Sequence, residues 1–153
     1  MVKKNAYVIG NNTKQSLSPT IFNYWFKKYN VDAEYGFKEI KEENFEKEIS
    51  LILKEKNLCG LNITIPFKEK IIKHLDLVDE SAKKMQSVNC LTINKNKKEG
   101  TNTDWLGFNE TIKQKNIKKD TAILLGYGGA ARAIIHSLNF IGFRKIKVFN
   151  RTF

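Results

Sequence analysis

A chain of 153 residues, 41% hydrophobic and 28% charged, has the size and composition of about one globular domain. No apolar run approaches the ~20 residues that span a bilayer. The start, Met1-Val2-Lys3-Lys4-Asn5, lacks the apolar core of a secretory signal, so a cytoplasmic protein is expected.

Two cysteines, Cys59 and Cys90, make neither a disulfide scaffold nor a metal-ligand spacing, and are expected to be reduced. The net charge of +11 comes from 24 lysines and only 3 arginines. The lysines are scattered, unlike the arginine and aromatic clusters of nucleic-acid binders. The excess is densest in residues 101–153, where nine Lys and Arg stand against three acids, so an anionic ligand is expected there.

Short β-like runs alternate with helical patterns, as in an α/β protein. Ala6–Ile9 reads as a strand ending at Gly10. Ser18 and Pro19 open a helix as N-cap and first helical residue, with Ile21, Trp25, Phe26 and Tyr29 along one face. Ala33–Ile40 reads as a strand, and Glu42–Lys56 as an amphipathic helix with Phe45, Ile49, Ile52 and Leu53 inward. Leu61–Ile65 is a strand stopped by Pro66, and Asn89–Asn94 another, followed by a polar turn over Asn94–Gly100. Thr103 or Asp104 caps a helix running to about Lys115, with Trp105, Leu106 and Ile112 as its apolar residues. After Asp120, Ala122–Leu125 has the continuous apolar pattern of a strand buried on both faces. A glycine turn, a helix over Ala130–Ile141 and a strand over Lys145–Phe149 complete the order.

The sharpest motif is Gly126-Tyr127-Gly128-Gly129-Ala130-Ala131. It follows a strand and opens a helix, the context of a dinucleotide fingerprint. Gly126 permits the tight turn, Gly128 a close approach to a pyrophosphate, and Ala131 close packing of helix on strand. The helix start offers free N–H groups to phosphates. The next strand ends Phe149-Asn150-Arg151-Thr152 with no acid for a ribose 2′-OH. Arg151, with Asn150 and Thr152, suits a 2′-phosphate instead, which favours NADP over NAD.

Three polar clusters lie upstream at strand ends, where open α/β sheets place ligands. Gln15-Ser16-Leu17-Ser18-Pro19 presents two hydroxyls, of which Ser18 doubles as an N-cap and Ser16 has no such duty. In Leu61–Lys68, alternation puts Asn62 and Thr64 on one strand face, with Lys68 at the turn after Pro66. The third is Thr101-Asn102-Thr103-Asp104. Strand-edge polarity, a surface lysine and a capping aspartate are the structural alternatives. His74 and His136 have no partner motif and read as structural.

Read together, these motifs resemble the shikimate dehydrogenase family. The matching strings are S-L-S-P (16–19), N-I-T-I-P-F-K (62–68), V-N-C-L (88–91), N-T-D (102–104), G-Y-G-G-A-A-R (126–132) and N-R-T (150–152), in the family's order. The resemblance implies an N-terminal mixed-sheet α/β substrate domain over residues 1–103, followed over 104–153 by the start of an NADP-binding Rossmann domain. It implies reversible NADPH-dependent reduction of 3-dehydroshikimate to shikimate, with Lys68 and Asp104 as the catalytic pair. Ser16, Ser18, Asn62, Thr64 and Asn89 would contact substrate alongside that pair. Gly126, Tyr127, Gly128, Gly129 and Ala130 would hold the pyrophosphate, Asn150, Arg151 and Thr152 the 2′-phosphate, with Glu80 on the cofactor side. No metal is implied. The expected partners are the small-molecule substrate and at most a second copy in a homodimer, with neither nucleic acid nor membrane.

Two departures are Gln86-Ser87 in place of the family's Gly-Ala, and Tyr127 in place of a small residue. A third is the single βαβ unit where a dinucleotide fold has two βαβαβ halves. Little or no turnover is therefore expected from these 153 residues alone. The rival readings are a quinate/shikimate dehydrogenase using NAD, which calls for an acid near 150–152 and often threonine at 18, and a non-catalytic shikimate-binding module.

Overall fold

A computed structural model describes residues 3–151. Its larger sheet is built from β1 (Lys4–Gly10), β2 (Ala33–Glu39), β3 (Leu58–Ile63), β4 (Leu77–Val78), β5 (Cys90–Asn94) and β6 (Lys97–Thr101), in the order β2-β1-β3-β5-β6-β4. β1 runs parallel to β2 and β3, whereas β5 is antiparallel to both β3 and β6. The sheet is mixed, as expected. The segment expected as a polar turn over Asn94–Gly100 is mostly strand: only Lys95 and Asn96 turn the chain, both at positive φ (47° and 64°). Two left-handed residues match the twist of a tight hairpin.

Two apolar clusters flank this sheet. On one side α2 (Phe45–Ile52) buries Phe45, Ile49 and Ile52 with Ile9, Phe67 and Leu91. The predicted helix over Glu42–Lys56 is thus shorter, preceded by a 3-10 turn over Glu42–Asn44. On the other side α1 (Ser18–Lys28) packs Phe22 and Phe26 onto Ala6, Val8 and Tyr35. The inward stripe therefore differs from the expected one. Ile21, Trp25 and Tyr29 are 43%, 45% and 66% exposed, because Phe22 and Phe26, four residues apart, already fill the face toward the sheet.

Segment 69–88, which has no periodic pattern, holds a 3-10 turn (Lys70–His74) and the short helix α3 (Glu80–Met85). Asp79 caps α3, its carboxylate accepting from the Ala82 N–H at 2.9 Å.

The second part comprises α4 (Asp104–Lys113), β7 (Thr121–Leu125), α5 (Gly129–Ile141) and β8 (Lys145–Phe149), with β7 and β8 paired in parallel. β7 is not buried on both faces as its apolar run predicts. Ala122 and Leu124 are half-buried, but Ile123 and Leu125 are 65% and 82% exposed, since among the described residues this sheet has two strands and its outer face is uncovered. α4 packs against α5, where Trp105 meets His136 and Phe140 edge-on at 5.0 and 5.6 Å. His136 is thus a packing residue. His74 lies edge-on to Phe45 and 3.2 Å from Glu46. Cys59 and Cys90 are free thiols, both pushed up in pKa by burial.

Candidate active site

The C-terminal ends of β1 and β3, the start of α1, the lead-in to β5 and the start of α4 converge on a cavity of about 500 Å³. Its wall includes Ser16, Ser18, Asn62, Thr64, Lys68, Asn89 and Asp104, so all the predicted substrate residues meet in one place. A parallel β1–β3 pair ends its strands together, and polar groups set there face a common crevice. Asn62 sits opposite Val8 on β1 and Cys90 on β5. Thr64 lies just past β3, where its N–H still reaches the Ile9 carbonyl at 2.9 Å.

Lys68 and Asp104, 36 residues apart, form an ion pair with Nζ–Oδ2 at 2.5 Å. The Lys68 side chain is 13% exposed and that of Asp104 33%. Two asparagines hold Asp104, Asn89 at its carboxylate and Asn102 at its backbone N–H. Asn102, buried, donates from Nδ2 to the Ser87 carbonyl at 2.8 Å and accepts at Oδ1 from the Asp104 N–H at 2.9 Å. Asn102 therefore performs at the start of α4 the capping expected of Thr103 or Asp104. Thr103 occupies the N-cap position but makes no side-chain cap bond. Asn89 donates to Asp104 Oδ1 at 2.7 Å and accepts from the Thr103 N–H at 2.8 Å, which ties the start of β5 to that of α4.

At the start of α1, Ser16 rather than Ser18 does the capping. Its Oγ accepts from the Ser18 N–H at 3.2 Å, and Ser18 is the first residue of the helix. The role assigned to Ser18 alone thus moves two residues upstream, because the turn folds the Ser16 hydroxyl back over the helix end.

The glycine turn borders a second cavity of about 450 Å³, lined by Gly126, Gly128, Gly129 and Ala130 together with Ile65, Pro66 and Lys68. Gly126 has φ +98° and open space where a side chain would stand. That is the conformation and clearance a pyrophosphate-binding turn requires. Gly128 at the N-cap of α5 provides no side-chain cap bond, so the helix start keeps N–H groups to offer an anion. Gly129 is the close approach: an added Cβ would lie 3.3 Å from both Lys68 Cδ and Ser87 Oγ. The Ser87 hydroxyl also faces the Gly129 carbonyl at 3.4 Å. Gln86, beside it, is left-handed at φ 49°, which explains the small residue the family favours there.

Tyr127 turns away from this cavity into a separate cleft of about 270 Å³, where the Arg132 guanidinium lies 5.8 Å from its ring. Glu80 is exposed and paired with Lys83 at 2.8 Å, and lines neither main cavity. The Gly126 N–H donates to the Phe149 carbonyl at 2.7 Å, which sets the glycine turn beside the end of β8, where Asn150 and the exposed Arg151 follow. Thr152 lies outside the described residues. Among the described residues no cluster of three or more His, Cys, Asp or Glu is suited to a metal, and no helix is long and apolar enough to cross a membrane.

The family model for the shikimate dehydrogenase substrate binding domain matches residues 8–91. The chain belongs to the shikimate dehydrogenase family. It is 44% identical over 153 residues to the shikimate dehydrogenase (NADP(+)) of Pelagibacter ubique, covering 99% of this chain and 57% of that one. The crystal structure of shikimate dehydrogenase from Thermotoga maritima superposes with a TM-score of 0.88 at 36% identity, covering 97% of this chain and 55% of the other. The Thermus thermophilus enzyme in complex with NADP(H) and shikimate gives a TM-score of 0.83 at 28% identity, over 97% of this chain and 56% of that one. The chain thus spans somewhat more than half the length of these shikimate dehydrogenases. Two residues of the site have no role in the sequence reading. Asn102 lay inside a flagged cluster whose role went to its neighbours. Tyr35, buried behind Asn62, read only as a strand residue.

Proposed function

We propose that the protein takes part in the reversible, NADP(H)-dependent interconversion of 3-dehydroshikimate and shikimate, with residues 1–103 as substrate domain and 104–153 as the start of the cofactor domain. The observation that carries this reading is that Lys68 belongs to both cavities, the polar one and the one under the glycine turn. A ring bound in the first and a dinucleotide held at the second would meet beside one ammonium.

The fit of the cofactor rests on the open left-handed Gly126, the uncapped start of α5 and the access to Lys68. When bound there, NADPH supplies the hydride. Reduction of a ketone leaves charge on its oxygen, and Lys68 Nζ is the group placed to donate a proton to it and stabilise it. In the reverse direction the same nitrogen takes the hydroxyl proton. Asp104 holds Lys68 and offers its free lone pairs to a neighbouring ring hydroxyl. The Asn62 amide, the Thr64 hydroxyl and the two serines satisfy the other polar groups of a small polyol acid, which such a site would select over apolar analogues. Arg151 beside the glycine turn, without an acid nearby in sequence, supports NADP over NAD.

The 153 residues alone are expected to bind shikimate yet turn over very slowly, because among the described residues the β7–β8 pair supplies two of the roughly six strands of a dinucleotide platform. Calorimetric titration of shikimate tests the reading: saturable binding is expected, weakened at least tenfold by Lys68→Met and by Asp104→Asn. Absence of saturable binding, or binding indifferent to both substitutions, would discard it. Turnover by this chain at the rate of its full-length relatives would discard the argument from the incomplete platform.

A further inference from the structure

Tyr35 on β2 is 3% exposed, and its ring is held from two directions. Phe22 stacks on it at 4.5 Å with an interplanar angle of 8°. The Asn23 side chain clamps its backbone, donating to the Tyr35 carbonyl at 2.8 Å and accepting from its N–H at 2.9 Å. The phenol thereby reaches across β1 to β3, where its hydroxyl donates to Asn62 Oδ1 at 2.6 Å. Burial, with the Cys90 thiol adding to it, pushes the phenol well above its ordinary pKa, so the proton stays in place.

We infer that Tyr35 is a positioning residue: its buried hydroxyl, reaching from β2 to β3, fixes which polar atom Asn62 presents to the cavity. With Oδ1 taken, Asn62 turns its Nδ2 toward the Asn89 carbonyl, 3.4 Å away, and into the cavity. That wall then presents an N–H donor and recognises an acceptor oxygen on the ligand. Without the phenol, the amide is free to flip and that polarity is lost.

The inference rests on the shikimate reading, and its test separates the two. Shikimate is titrated into the unaltered chain, Tyr35→Phe, Asn62→Ala and the double variant, each checked by thermal melting. Tyr35→Phe keeps the ring and should weaken binding about tenfold, the scale of one buried hydrogen bond plus the partner it leaves unmet. In the Asn62→Ala background the same change should cost less than half that factor, since its target is gone. No binding by the unaltered chain refutes the shikimate reading itself. Unaltered affinity in Tyr35→Phe, or a full and independent loss in the double variant, overturns the positioning role. Should Tyr35→Phe not fold, proton exchange of the Tyr35 hydroxyl in the unaltered chain decides: slow exchange is expected, and exchange at the rate of an exposed phenol overturns the link.

Discussion

Replacing Asn89 by alanine removes the clasp between β5 and α4. Its side chain donates to Asp104 Oδ1 at 2.7 Å and to Thr103 Oγ1 at 3.0 Å, and accepts from the Thr103 N–H at 2.8 Å. A bond to a charged partner contributes about 1.5–3 kcal/mol and a neutral one about 0.5–1.5. Asn89 is only half-buried and water replaces part of each, so the net loss is about 1–3 kcal/mol. At this chain length that corresponds to ~3–8 °C in melting temperature. Asp104 also loses one of the two asparagines that aim it, so shikimate affinity should fall by about tenfold or more. Asn89→Asp is the sharper perturbation, because two carboxylates would then face each other at the distance of the present hydrogen bond. At pH 7 it should melt below Asn89→Ala, and the gap should narrow at acidic pH, where like-charge repulsion is relieved. Differential scanning fluorimetry across pH, with calorimetric titration at pH 7, measures both effects. If Asn89→Ala melts and binds like the parent, or the aspartate variant tracks the alanine one at every pH, the clasp has no part in holding the site.

Asp79 has a lowered pKa: burial opposes this, but hydrogen bonds from the Ser81 hydroxyl and the Ala82 N–H outweigh it. Its stabilisation is therefore present above the ordinary carboxylate value and lost as pH falls through the depressed one. Asp79→Ala should cost about 1 kcal/mol at pH 7, and the two melting curves should converge below about pH 4; a constant gap down to pH 2.5 would contradict this. Gly129→Ala puts a methyl 3.3 Å from the Lys68 stem, so shikimate affinity should drop several-fold with little change in melting. Gly107→Ala, where nothing lies within 4 Å, should raise stability by about 0.5–1 kcal/mol and leave affinity alone. Equal affinity losses from the two alanines would remove the crowding argument.

The elements most legible in the sequence are those punctuated by glycine or proline. The helix expected from Ala130 begins at Gly129 and ends at Ile141, because Gly128 and the left-handed Gly142 bracket it. The strand over Lys145–Phe149 matches to the residue. α1 was legible as a helix but not in its orientation: Phe22, Tyr24, Trp25 and Phe26 put aromatics around much of its circumference, and composition alone does not say which pair meets the sheet. The six-residue α3 is too short for any periodicity, and only its Asp79 cap marks it. The burial of β7 misleads because a continuous apolar run reports what a strand is suited to, while exposure depends on what covers it. The convergence of Lys68 with Asp104 follows from no spacing rule; the motif resemblance suggested it, and the bonds of Asn89 and Asn102 explain it physically.

Those two asparagines also determine how the two halves of the site communicate. Asp104 is the first residue of α4, and Trp105, next to it, packs on His136 and Phe140 of α5. α5 in turn begins at Gly129, against the Lys68 stem. α5 therefore packs on the residue next to Asp104 and on the aliphatic stem of Lys68. Asn89 holds the Asp104 carboxylate, and Asn102 holds its backbone N–H. Their bonds run to the lead-in of β5, to the Ser87 carbonyl and to the start of α4, none of them to α5. Asp104 is thus anchored through Asn89 to the lead-in of β5 and through Asn102 to the Ser87 carbonyl, by bonds that do not pass through α5.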